Sequence, residues 1–119
     1  MPEQITTINP TTGQVLSTYE SMPWARVDGI LAEAAHAQQA WARTDIAARG
    51  EILLAVAAEL RRRLDELAML AVHEMGKPVA EAKAEVEKCA WVCEYYAQES
   101  PRALADEQAH RGEPGLAEA

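Results

Sequence analysis

Cys89 and Cys93 stand one helical turn apart, and they are the first residues in the chain that could do chemistry. On a helix they could share a metal, yet a structural zinc takes four ligands. The three histidines, His36, His73 and His110, fall in separate segments with no ligand-like spacing to the pair. A thiolate nucleophile is disfavoured as well, because neither cysteine has a histidine nearby in sequence or a helix N-terminus to lower its pKa. Both read as small apolar residues on a buried packing face. His73-Glu74 opens a His-Glu-x-x-His pattern, but Lys77 takes the place of the second ligand. His73 then becomes a solvated side chain in the last turn of a helix, and Glu74 an exposed neighbour. Met75-Gly76-Lys77-Pro78 holds a glycine and a lysine without the glycine-rich run and the Ser or Thr of a phosphate loop. It reads as a helix stop followed by a helix start. These residues assign no catalytic, cofactor-binding or metal position.

The remaining chemistry-bearing side chains are aromatic. Trp24, Trp41, Trp91, Tyr95 and Tyr96 do not interleave with basic residues as a stacking platform for bases would. Trp91 lies off the apolar stripe of its helix, so it either covers a second neighbour or marks an interface. The formal charge is −8, and it is evenly spread: seven acids against three bases in residues 1–60, twelve against eight in 61–119. Phosphate backbones and anionic lipid are therefore disfavoured partners, and neither nucleic acid nor membrane is expected to bind. Two cysteines exclude a disulfide-dense scaffold. A basic stretch followed by an apolar run is missing at the N-terminus, and no apolar run approaches the roughly 20 residues that cross a bilayer. A soluble, cytoplasmic protein is the expectation.

These residues need elements to hold them. Residues 5–19 predict two short strands around a turn begun by Asn9-Pro10 and closed by Gly13. Helical periodicity follows over 21–104. Ser21 is the candidate N-cap of the first helix with Pro23 in its first turn, and Val27, Ile30, Leu31, Ala34, Gln38 and Trp41 share one face. Thr44 or Asp45 caps the next helix, whose stripe is Ile52 or Leu53, Val56, Leu60 and Leu64. Arg61-Arg62-Arg63 forms a solvated end that suits the helix dipole. A third helix from Leu64 or Asp65 to Met75 buries Leu67, Leu70, Ala71 and Met75, and stops at Gly76. Pro78 opens the fourth at its first position. There Val79, Ala82, Val86, Cys89 or Ala90, Cys93, and Tyr96 or Ala97 face inward, Glu81–Glu85 repels and Glu85–Lys88 compensates. Pro101 ends this helix or begins a short coda around Leu104. Residues 108–119 read as a flexible, divergent tail. Although 49% of residues are hydrophobic, many are alanine and Phe is absent, so the core must be thin and held by close helix packing.

Several strings carry a resemblance. INPTTGQVLSTY at 8–19, Trp41, Arg49, and LDELAMLAVHEMGKPVAEAKAEVEKCAWVCEYYA at 64–97 resemble, in this order, the start of an aldehyde dehydrogenase. Within that family the strings are most similar to the bacterial succinate-semialdehyde dehydrogenases. The resemblance runs over residues 5–107 and implies an α/β parent fold, of which this chain would be a mainly α-helical part with an N-terminal β-hairpin, an incomplete share of the cofactor-binding domain.

The same resemblance implies a parent reaction: oxidation of succinate semialdehyde or a similar aldehyde to the carboxylate with NAD or NADP. Family members continue past Leu104-Ala105-Asp106-Glu107 into an oxyanion-holding Asn, the cofactor sheet, a general-base Glu and the nucleophilic Cys. Here HRGEPGLAEA follows instead, as a truncated gene, a frameshift or a fragment would give. The chain by itself is therefore expected to bind no cofactor and turn over no aldehyde, and Cys89 and Cys93 match helix positions rather than the family's nucleophile. Ala84 and Lys88 match positions that line the substrate entrance. A lysine there suits an anionic substrate, while ordinary surface preference accounts equally well for it. The expected partners are the remainder of an aldehyde dehydrogenase chain, or a second copy through exposed apolar faces. A non-enzymatic helical interaction module is the alternative function.

Overall fold

A computed structural model describes residues 3–107. The tail expected over 108–119, with His110, lies outside the described residues. Strands β1 (Gln4–Ile8) and β2 (Val15–Glu20) form an antiparallel hairpin. Its register pairs Ile5 with Tyr19 and Thr7 with Ser17, then shifts at Ile8, which pairs with Val15. The turn is organised by Asn9, whose Oδ1 accepts the N–H groups of Thr11 at 2.9 Å and Thr12 at 3.2 Å. Gly13 closes it at φ +71° and donates to the Asn9 carbonyl at 2.8 Å.

A single 3₁₀ turn, Trp24–Arg26, precedes α1 (Val27–Trp41). Pro23, at φ −62° and ψ 134°, is the residue that admits the chain to this turn, and Ser21 caps nothing. The helix therefore starts at Val27, the first residue of its periodic face, and later than a cap at Ser21 suggests. Helix α2 (Ile46–Arg62) has Asp45 at its N-cap position, although the carboxylate makes no capping bond. One non-helical residue, Arg63, separates it from α3 (Leu64–Met75). Gly76 then ends α3 at φ +68°. A second constraint acts on the same glycine: a Cβ there would stand 3.0 Å from Pro10 Cγ, because the hairpin tip rests on this corner. Pro78 is the N-cap of α4 (Val79–Ala103) and not its first residue. Pro101 lies inside α4, which runs on for two residues; a proline near the end removes only one ladder bond, so the last turn closes around it.

Helix α4 is the spine, with α2 and α3 packed along it. Gly50 meets Ala97 while Arg61 reaches Glu87 and Glu94, so α2 and α4 run antiparallel. The contact at Gly50 is close: a Cβ would stand 3.2 Å from the Ala97 carbonyl oxygen. Pro101 has no N–H to offer that same oxygen across the usual helical turn.

Among the described residues, the buried apolar ones are Ala57, Ala68, Ala82 and Ala90, and no large side chain is fully enclosed. This corrects the expected stripes in detail. Ile52, Val56, Leu70 and Met75 are all exposed, because alanines let the helix axes approach and leave the longer side chains at the seams or outside. Ala90 is inside and Cys89 is exposed; Ala97 is half-buried and Tyr96 exposed. The chain keeps 10070 Å² accessible, whereas a compact protein of its mass shows about 6,300 Å². The fold is mainly α-helical with an N-terminal antiparallel hairpin, and much of its apolar surface has no cover.

Candidate functional site

Two corners and one long face organise the polar chemistry. At the α1–α2 corner, Arg49 Nε donates to the Thr44 carbonyl at 3.0 Å, and Nη2 donates to the carbonyls of Trp41 at 3.0 Å and Ala42 at 3.1 Å. Its guanidinium also lies over the Trp41 ring, 5.4 Å from the centroid. Arg49 thus adds donors to the carbonyls at the end of α1 and in the turn after it, where the Trp41 carbonyl also accepts the Thr44 N–H at 3.0 Å, and fixes how α2 leaves α1. A cavity of about 260 Å³ opens beside this corner, lined by Trp41, Ile46, Leu53, Tyr96 and Leu104 among others.

Farther along α2, the three arginines lie solvated at the helix end, as expected, and each is also held in an ion pair. Arg61 crosses to α4, with Nε on Glu87 at 2.7 Å and Nη2 on Glu94 at 2.9 Å. Glu94 first and Glu87 second raise the Arg61 pKa above its ordinary value, and Arg61 in turn holds the Glu94 carboxyl below the usual carboxylate range. Arg62 and Arg63 pair within their own stretch, with Glu59 and Glu66, and lower both carboxyl pKa values by hydrogen bonding. On the other side of α4, Lys83 reaches Asp65 at 2.6 Å. Lys77 pairs with Glu85, which corrects the expected Glu85–Lys88 compensation. Glu85 is claimed by the lysine of the preceding corner.

Lys88 makes no ion pair among the described residues. It stands one turn after Ala84 on α4, and both are exposed on one face. Cys89 is exposed and Cys93 half-buried, so only Cys93 matches the packing role expected of the pair. His73 is exposed in the last turn of α3, as its position suggests, while Glu74 is half-buried. Among the described residues no three metal-ligating side chains come together. Nor do the residues present fit a nicotinamide cofactor. Among the described residues, the glycines with positive φ serve a hairpin turn and the α3–α4 corner; at that corner Pro10 covers Gly76 and Lys77 is engaged by Glu85, so no open nest among them awaits a pyrophosphate. Sequence reasoning missed two roles. Arg49 was legible only as a motif residue, and nothing local points from Arg61 to partners 26 and 33 residues away.

A sequence profile of the aldehyde dehydrogenase family matches residues 1–116. The chain belongs to the aldehyde dehydrogenase family. Among its relatives, the NAD(P)+-dependent succinate semialdehyde dehydrogenase of Escherichia coli K12 is 40% identical over 114 residues, covering 93% of this chain and 23% of that protein. The crystal structure of succinic semialdehyde dehydrogenase from Streptococcus pyogenes in complex with NADP+ superposes with a TM-score of 0.79 at 34% identity, over 84% of this chain and 22% of that one. The NADP-dependent glyceraldehyde-3-phosphate dehydrogenase of Bacillus halodurans C-125 gives a TM-score of 0.80 at 29% identity, over 84% and 21%. This aldehyde dehydrogenase chain thus spans about a quarter of the length of the relatives it matches. Its hairpin and four helices are a family element that accompanies dehydrogenases acting on different aldehydes.

Proposed function

We propose that this chain is the N-terminal helical segment of an NAD(P)-dependent aldehyde dehydrogenase oxidising succinate semialdehyde or a similar aldehyde to its carboxylate. In that reaction the aldehyde carbon loses a hydride to NAD(P)+ and gains the oxygen of water, with release of protons. The segment's own share is structural and electrostatic. α4 would form one wall of the substrate entrance, with Ala84 leaving room and Lys88 attracting the carboxylate of an anionic substrate. The single observation that supports this role is Lys88, an exposed cation without an ion-pair partner among the described residues, while its neighbour Lys83 is paired with Asp65.

The test is a chimera in which residues 1–107 of this chain replace the matching quarter of the Escherichia coli relative. NAD(P)H formation from succinate semialdehyde is the readout. Lys88→Ala should raise KM for succinate semialdehyde about three- to tenfold with kcat little changed, since an attraction felt before the chemical step acts on binding alone. Lys88→Arg should restore KM, and an uncharged aldehyde should show no effect. An unchanged KM in Lys88→Ala would remove the entrance role. The chain alone, without the remaining machinery, should form no NAD(P)H above buffer.

A further inference from the structure

Lys88 has no ion-pair partner among the described residues, although α4 is rich in acids, and its neighbours explain why. The side chains within its reach on the helix stand three and four residues away: Ala84, Glu85, Trp91 and Val92. Glu85, the one acid among them, is held by Lys77, while Glu87 and Glu94 on the adjoining flank both hold Arg61. What remains around Lys88 is apolar. At about 100° per residue, Ala84, Lys88, Trp91 and Tyr95 fall within about 60° of one another. All four are exposed, on the side of α4 away from the buried Ala82 and Ala90. Whatever Lys88 faces, Trp91 therefore faces as well.

Trp91 is 57% exposed, and its ring meets that of Tyr95 with centroids 6.2 Å apart and planes tilted by 40°. In that contact Tyr95 leans back along the helix over the turn before its own, as long side chains on helices do. By the same lean the indole covers the turn that carries Lys88. We propose that Trp91 is a positioning residue for Lys88: its indole, braced by Tyr95, shelters the lysine stem on one side and strengthens the pull of the ammonium on a carboxylated aldehyde. A lysine stem packs readily along an apolar surface while its charged end stays in water. Water displaced from that side lowers the local dielectric, and the attraction between unit charges grows in proportion. The inference rests on the entrance role proposed for Lys88. It gives a task there to an exposed indole that packing within the chain does not explain.

The contact is tested in the chain itself. In proton NMR spectra the side-chain methylenes of Lys88 should lie upfield of those of Lys77 and Lys83, shifted by the indole ring current, and Trp91→Ala should abolish the difference. The consequence is tested in the chimera. Trp91→Ala should raise KM for succinate semialdehyde about two- to fivefold with kcat unchanged. Raising salt from about 50 to 500 mM should then increase KM more than in the parent chimera, because an uncovered cation is screened more fully. Trp91→Phe should restore KM, an uncharged aldehyde should show no effect, and beside Lys88→Ala the substitution should add nothing. Should Trp91→Ala lose its helices by circular dichroism, Trp91→Gln takes its place. A Lys88 signal without the upfield shift would overturn the inference, as would an unchanged KM in Trp91→Ala where Lys88→Ala raises it. So would a Trp91→Ala loss that extends to the uncharged aldehyde or persists beside Lys88→Ala. Those outcomes leave the entrance reading intact, whereas an unchanged KM in Lys88→Ala removes that reading and this one with it.

Discussion

Arg49 and Arg61 show how much one guanidinium does in a chain with so little core. Both hold elements together by geometry that a lysine could not reproduce, one by capping three carbonyls and one by gripping two glutamates. The second grip has a pH signature. Glu94 titrates lower in the folded chain than in the unfolded one, so its bond to Arg61 contributes fully above the ordinary carboxylate pKa of about 4.3. That contribution is lost as the pH falls through the lowered folded value. Glu59 and Glu66 shift in the same direction and add to the same acid limb. Urea midpoints followed from pH 7 down to about pH 3 should therefore decline. Glu94→Gln should make that decline shallower while lowering the midpoint at pH 7. An unchanged acid slope in Glu94→Gln would show that the pair does not form in solution.

Elements were more legible in the sequence than their contacts. The hairpin, the stop at Gly76 and the helix after Pro78 follow from local chemistry: Asn-Pro and glycine in turns, a left-handed residue after the last helical turn, a proline where no N–H is needed. What failed was the choice of buried residues. Periodicity marks a face but weighs a leucine above an alanine, and here alanines hold the seam. Ser21 has the chemistry of a cap for α1, yet Pro23 governs the approach and the helix begins beyond it. For the candidate site, local spacing excluded a metal or phosphate motif, while Ala84 and Lys88 emerged only through the family resemblance. Gly76 offers a test at this scale. An alanine there meets both the left-handed backbone and Pro10 Cγ at 3.0 Å, so Gly76→Ala should cost about 1–2 kcal/mol or more in urea unfolding. Adding Pro10→Gly should recover the steric share and leave the backbone share. Full recovery, or no loss at all, would contradict this double constraint.

Across the whole molecule, a radius of gyration of 22.4 Å compares with about 13.5 Å for a compact domain of this length. Among the described residues, no helix is long and apolar enough to cross a membrane. The alanine core ties α2, α3 and α4 together, while α1 depends on its corner. Helicity should accordingly be high, and the thermal midpoint should rise with protein concentration where self-association covers the exposed apolar side chains. Calorimetric titration with NAD+ and with NADP+ should show no saturable site tighter than about 100 μM. A one-site isotherm tighter than that would mean a pyrophosphate seat exists where the geometry leaves none.

The crossing of α2 and α4 makes residues 50 and 101 a single unit of variation. Pro101 withholds a donor from the Ala97 carbonyl, and Gly50 presents to that oxygen only a Cα hydrogen. Neither position is free to change alone. Gly50→Ala pushes a methyl against the oxygen, and Pro101→Ala returns an N–H that can draw the carbonyl back toward its own helix. In a double-mutant cycle the second change should therefore soften the first, with a coupling on the order of 0.5–1 kcal/mol. Strict additivity would mean that the carbonyl does not move. A family member with a larger residue at the position of Gly50 should then carry an N–H donor at that of Pro101, a covariation between sites half a chain apart that no local propensity would suggest.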